Sequence, residues 1–173
     1  HLGLVVVEEV PTRLEDEAGT FIHDFGVLTA DGEQLDIEAC AARVGAAIED
    51  ALGGELESDS LHRLLVSSGL DHNDLTILRA YRSYWRLVTT PFSVGYIDNT
   101  LAAHPRIAED LVRFFDARFG SGHDSELQDV IDARIRAALD DVESLDEDRI
   151  LRGFYGLIRA TERSNVRVEG RSS

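Results

Sequence analysis

Residues 71–88 read DHNDLTILRAYRSYWRLV, and this stretch decides the fold class. Leu75, Leu78, Tyr81, Tyr84, Trp85 and Val88 recur at intervals of three and four, the spacing of one face of an α-helix. Asp71 opens the helix. Pro91 forces a break, because proline lacks the N–H and restricts the residue before it. Towards the C-terminus the period persists. Ser93 caps a helix from Val94 to about Ala103, and Pro105 suits the first turn of the next, with Ile107, Leu111, Phe114, Phe115 and Phe119 along one stripe. Gly120 and Gly122 loosen the chain. Asp124 or Ser125 then starts a helix carrying Leu127, Val130, Ile131, Ile135, Leu139 and Val142. Asp146 starts the last, with Ile150, Leu151, Phe154, Leu157, Ile158 and Thr161.

Towards the N-terminus the helical period also holds, then changes. Ser58, Asp59 and Ser60 supply an N-cap for a short helix bearing Leu61, Leu64 and Leu65, which Gly69 ends. A helix from Ile37 to Leu52 turns Cys40, Val44, Ala47, Ile48 and Ala51 inward and stops at Gly53-Gly54. Before Leu35 the period is 2. Leu2 to Val10 reads as a strand stopped by Pro11, Arg13 to Gly19 as an acidic turn, and Phe21 to Leu28 as a second strand. Phe21, His23, Phe25 and Val27 share one face of it, and Asp31-Gly32 signals a turn. Two strands alone are marginal in water, so they must pair with something further, pack on the helices or dimerise. The expected fold is mainly α. A β segment over 1–34 precedes a helical domain of about seven helices over 35–165, with a frayed tail at 166–173.

Composition narrows the chemistry. At 173 residues the chain can bury roughly 70% of its unfolded surface and needs no disulfide or metal to fold. The formal net charge of −16 repels phosphate backbones and anionic lipids, which argues against a nucleic-acid partner. No apolar run of about 18 residues and no signal-peptide pattern occurs, so a cytoplasmic protein without a membrane span is expected. The chain has no Met and opens on a strand-like run, which reads as an internal fragment. All 17 basic residues are arginine, so lysine chemistry is ruled out, including the lysine on which amino-acid dehydrogenases rely. The glycines match neither GxGxxG nor GxxxxGK[ST] spacing, and the six histidines show no metal-ligand spacing. They read as solvated or capping residues. Acidic runs at Glu15-Asp16-Glu17, Asp140-Asp141 and Asp146-Glu147-Asp148 fall at turns and first helical turns, where carboxylates favour the helix dipole. Cys40 reads as a small buried apolar residue. No catalytic, cofactor-binding or metal-binding residue is therefore assigned.

The 71–88 helix also concentrates Arg79, Tyr81, Arg82, Tyr84, Trp85 and Arg86, the residue types that dominate interface hot spots. For Tyr81 and Trp85 an ordinary core stripe is the expectation. Arg79 or Arg82, together with Tyr84, is expected to face another domain.

These residues carry a resemblance. Leu78-Arg79-Ala80-Tyr81-Arg82-Ser83-Tyr84, Pro91-Phe92-Ser93, Tyr96-Ile97-Asp98-Asn99-Thr100-Leu101 and His104-Pro105 resemble, in that order, the large bacterial NAD-specific glutamate dehydrogenases. Ile22-His23-Asp24-Phe25-Gly26 and Leu145-Asp146-Glu147-Asp148-Arg149-Ile150-Leu151 extend the likeness over nearly the whole chain. Arg86-Leu87-Val88, where a glutamine-containing run is expected, and Glu162, where an apolar residue is expected, depart from it. The resemblance implies that the β segment is the end of an ACT-like domain. It implies that the parent oxidises L-glutamate to 2-oxoglutarate and ammonia with NAD, and that its Rossmann domain and catalytic lysine lie elsewhere. This segment would then be non-catalytic, regulatory or architectural, contacting other domains of the same polypeptide in a homo-oligomer. A free-standing helical interaction module is the alternative.

Overall fold

The change of period near residue 35 is a change of architecture. The structure is a computed structural model that describes residues 2–14, 19–29, 32, 36–53, 59–87, 91–120 and 125–163. Strands β1 (Leu4–Arg13) and β2 (Phe21–Thr29) form a two-stranded antiparallel ribbon. After it come α1 (Ile37–Gly53), a single 3-10 turn (Ser60–Arg63), α2 (Leu64–Ser67), α3 (His72–Leu87), α4 (Val94–Ala103), α5 (Pro105–Phe119), α6 (Ser125–Asp140) and α7 (Leu145–Ala160). The mainly α class is borne out, with seven helices behind a β start among the described residues.

In the ribbon, Leu4 pairs with Thr29 at one end and Arg13 with Phe21 at the other, with a bulge between Val6 and Glu8. Pro11 does not stop β1, contrary to the sequence reading. It pairs opposite His23. In a two-stranded ribbon each strand has an outer edge, and there a missing N–H costs no ladder bond. Phe21, His23 and Phe25 line one face as the alternation requires, with His23 stacked on Phe25 and bonded to Glu9 on the facing strand. Val5, Val6, Val7, Val10, Phe21, Ile22 and Phe25 are exposed. The ribbon meets the helices at its base. Leu2 packs against the helical core, and Gly3, at φ 70°, lies over the stem of Arg63.

The core lies among α3, α4, α5, α6 and α7 and the short 3-10/α2 segment. Helix α5 buries Ile107, Ala108, Leu111, Val112, Phe114, Phe115 and Ala117. That is more than one stripe, because α5 lies between α6 on one side and α3, α4 and α7 on the other. Phe115 and Phe154 are the largest fully enclosed side chains, and such burial contributes about 1.5–3 kcal/mol each. Tyr81 is buried edge-on to Phe115, and Trp85 packs edge-on to Phe154, as the core-stripe reading requires. Ser93 and Ser144 accept the amides of Tyr96 and Glu147 and cap α4 and α7. Asp71 and Asp74 cap α3 reciprocally, each accepting the other's backbone N–H.

Two stripes are shorter than their sequence spacing suggests. On α6, Ile131, Ile135 and Leu139 are buried, but Leu127 and Val130 are exposed. The first turns of α6 still touch α5, where Gln128 donates to the Ala117 carbonyl (3.0 Å), but Leu127 and Val130 line an open groove there with Arg113 and Asp116. On α1, Cys40 is buried and Val44 half-buried, while Ile48 is 44% exposed. The side chains of Ala47 and Ala51, residues Gly54 and Val88, the acidic run at 15–17 and the tail at 166–173 lie outside the described residues.

Candidate functional site

The most concentrated chemistry is a cluster of charges under the short 3-10 turn. Asp59 immediately precedes that turn. It occupies the N-cap position, yet its side chain makes no cap bond. The carboxylate reaches across to α3 instead. Arg79 donates to it through Nε (2.9 Å) and Nη2 (3.1 Å), and Arg82 donates to it through Nη1 (2.9 Å). The same Arg82 nitrogen donates to Asp98 on α4 (2.6 Å). Helical spacing explains the sharing, because residues three apart on α3 present both guanidinium groups to one carboxylate.

Burial makes these pairings consequential. Arg82 is 7% exposed and Asp98 2%. Removing one partner of such a pair strands the other charge in a low-dielectric site, typically at a cost of about 3–5 kcal/mol. Burial pushes the Asp59 carboxyl up, but hydrogen bonds and charge from Arg79 and then Arg82 outweigh it and hold it below the usual aspartate value. At Asp98 burial wins. Its carboxyl is pushed up despite Arg82, with the negative charge of Asp59 adding to the rise.

His62 completes the cluster. Its Nδ1 lies 3.1 Å from the Asp59 backbone carbonyl and its Nε2 3.2 Å from Nη2 of Arg79. A carbonyl only accepts and a guanidinium only donates. The two contacts together therefore require a neutral ring with its proton on Nδ1. Burial first, then the charges of Arg79 and His72, depress its basicity, against the pull of the Asp59 carbonyl. The sequence reading of solvated histidines does not hold here, since His62 is almost wholly enclosed.

A third arginine ties down the end of α7. Arg118 on α5 donates to the carbonyls of Ile158 (2.9 Å), Arg159 (2.7 Å) and Thr161 (3.0 Å), at the end of α7 where carbonyls run short of intrahelical donors. Tyr81 on α3 donates to the Thr161 hydroxyl (2.9 Å), so α3, α5 and the end of α7 are tied together.

The three residues expected to face another domain divide. The guanidinium groups of Arg79 and Arg82 turn inward to Asp59 and Asp98. Tyr84 is 55% exposed and lines an open groove of about 420 Å³ with Ala80, Leu157 and Ala160. The sequence reading missed Asp98 as a site residue. Its available signal was a carboxylate lying between Ile97 and Leu101 on one short helix. Asp59 was given a capping role that its side chain does not fill. Among the described residues no group of three His, Cys, Asp or Glu side chains is placed to hold a metal ion.

The arrangement is one of domain-building charge pairs, and comparisons with known proteins place it in a class. Residues 1–40 match the family model of the glutamate dehydrogenase ACT3 domain, and residues 56–121 that of glutamate dehydrogenase helical motif 3. The ribbon with the start of α1 thus falls in the first module, and the charge cluster in the second. The chain is 38% identical over 173 residues to an NAD-specific glutamate dehydrogenase of Pseudomonas aeruginosa, covering 95% of this chain and 11% of that protein. To the enzyme of the same description from Halomonas elongata it is 32% identical (95% and 10%), and to that from Mycobacterium tuberculosis 33% identical (99% and 11%). The chain belongs to the NAD-specific glutamate dehydrogenase family and spans about a tenth of the length of these relatives.

The family name implies NAD, and the described residues of this segment do not fit it. A dinucleotide site needs a parallel βαβ crossover with a glycine turn whose helix N-terminus is open to the pyrophosphate. The described strands form one antiparallel ribbon, and the N-termini of α3, α4 and α7 are already capped by their own aspartate or serine side chains. Among the described residues no helix is long and apolar enough to cross a membrane.

Proposed function

We propose that this segment is a non-catalytic regulatory or architectural part of an NAD-dependent glutamate dehydrogenase. The whole protein oxidatively deaminates L-glutamate to 2-oxoglutarate and ammonia with NAD, and the segment links its ACT-type module to the parts that follow. One observation carries this reading. The strongest constellation of charged side chains, Asp59 with Arg79, Arg82 and Asp98, is buried at Arg82 and Asp98, half-buried at Asp59 and Arg79, and spent on fastening the 3-10 turn, α3 and α4 to one another. Groups held this way build a scaffold; none is presented to a substrate. The partners are other domains of the same polypeptide within a cytoplasmic homo-oligomer. The charge of −16 speaks against nucleic acid as a partner.

Tyr84, with its open groove, is the outward contact in this reading. Two measurements test it. The 173-residue chain, incubated with glutamate and NAD, should form no NADH, and turnover would overturn the non-catalytic assignment. Amides around Tyr84 should exchange hydrogen more slowly in the full-length enzyme than in this chain. Equal exchange would remove α3 from any interdomain contact.

A further inference from the structure

The 3-10 turn and α2 form one short segment, Asp59–Ser68, at the start of the helical motif 3 match, touched both by what precedes it and by the helices of its own module. From the preceding side come three contacts, two from the ACT3 match and one from α1 just past it. Leu2 packs on the core to which Leu61, Leu64 and Leu65 belong. Gly3 sits so close to Arg63 that a Cβ on it would lie 3.1 Å from Arg63 Cγ. Arg43 of α1 donates through Nε to the carbonyl of Leu65 and through Nη2 to that of Ser68, both at 3.2 Å. From the helical side, Arg79 and Arg82 hold Asp59, and Arg79 also holds His62. Arg82 passes the connection on to Asp98 of α4.

Two single turns of helix are far below the length at which a helix sustains itself in water. The conformation of Asp59–Ser68 is therefore set by its neighbours on both sides. An element held in that way transmits. Displacing the ribbon base moves Arg63, the turn held between the two sides carries Asp59 with it, and the arginine pairing on α3 changes. The geometry points to Asp59–Ser68 as a mechanical coupling between the ribbon and helices α3 and α4. The coupling is reciprocal, as thermodynamic linkage requires. It goes beyond the non-catalytic reading above, which stands whether or not the two modules are coupled.

Two glycines provide a matched test. Gly3 and Gly19 both have left-handed φ, 70° and 66°, so alanine strains the ribbon backbone at either position. Only at Gly3 would the added methyl also press on Arg63; at Gly19 it meets nothing within 4 Å among the described residues. Hydrogen exchange of the 173-residue chain, followed by mass spectrometry, reads the result. Gly3→Ala should accelerate exchange in Asp59–Ser68 and in the first half of α3 by about fivefold or more, the low end of usual coupling strengths. Gly19→Ala should accelerate exchange in the ribbon alone. In the reverse direction, Asp59→Asn and the surface change Arg63→Ala should each loosen Leu4–Val6 and their partners Val27–Thr29. If Asp59→Asn does not fold, Arg63→Ala decides that arm. Identical exchange in Asp59–Ser68 for the two glycine variants, or wild-type exchange at Leu4–Val6 in Arg63→Ala, would overturn the proposal.

Discussion

Two glycines three residues apart on α7 should respond to the same substitution with opposite sign. Gly153 faces Trp85. A Cβ built there would lie 2.6 Å from Cζ2, 2.9 Å from Cε2 and 3.0 Å from Cη2 of the indole, well inside van der Waals contact. The ring has little room to retreat, since Phe154 stands edge-on to it at 5.7 Å and Phe92 lies 6.4 Å away. Overpacking of this kind costs about 1–3 kcal/mol, and the rigid indole places Gly153→Ala in the upper half of that range. Alanine recovers up to about 1 kcal/mol of helix propensity, leaving a net destabilisation of roughly 1–2 kcal/mol. Among the described residues nothing lies within 4 Å of a Cβ built at Gly156, so Gly156→Ala keeps the propensity gain, about 0.5–1 kcal/mol. For a chain of this size each kcal/mol moves Tm by about 2–4 °C, so the two melting points should differ by roughly 5–10 °C and bracket the wild type. Urea or thermal unfolding followed by fluorescence of the single tryptophan, which is the ring under pressure, gives both the stability and the local packing. Combining Gly153→Ala with Trp85→Phe should shrink the penalty. A Gly153→Ala protein as stable as Gly156→Ala would refute the packing argument.

Arg118→Ala should cost about 2–3 kcal/mol, because three carbonyls at the end of α7 lose their charged donor and the guanidinium leaves the faces of Phe114 and Phe119; chemical denaturation measures it. Stability should fall on mild acidification. Burial and Arg79 hold the folded-state basicity of His62 below its ordinary value of 6.5, so the unfolded chain binds the extra proton first. The stabilisation is present above that value and is lost as pH falls through the lower folded one. The urea midpoint should therefore drop between about pH 7 and 5, and His62→Gln should flatten that part of the profile. Asp59, held low by its arginines, adds a second loss as the pH falls below its ordinary 3.8. On α6, Ile135→Ala should cost about 2–5 kcal/mol and Leu127→Ala less than about 0.5, since the first is enclosed and the second is exposed. Equal costs would mean that the first turns of α6 are covered in solution.

The local half of this fold was legible in the residues. Ser93 and Pro105 marked the starts of α4 and α5, and the three- and four-residue spacing of Ile107, Leu111, Phe114 and Phe115 marked the inner face of α5. These signals are legible because caps, proline and side-chain period act within one or two turns of chain. The order of motifs along the chain likewise pointed to the glutamate dehydrogenase family before any geometry was known.

What the sequence could not decide was which face each element would find covered. Leu127, Val130 and Ile48 have the right period for burial and lie exposed, because period names a face and only neighbouring elements cover it. The charged residues were harder still. Asp59 carries every local mark of an N-cap, yet it binds Arg79 and Arg82 twenty and more positions away. The same pairing turned two arginines inward from an expected interface and enclosed His62 in a neutral form. Electrostatic partners are set by distance in space and by the dielectric around them, and both exist only once α3, α4 and the 3-10 turn have packed. The sequence by itself determined the helices, their ends and the family; the tertiary structure alone determined that Asp59, Arg79, Arg82 and Asp98 form one lock.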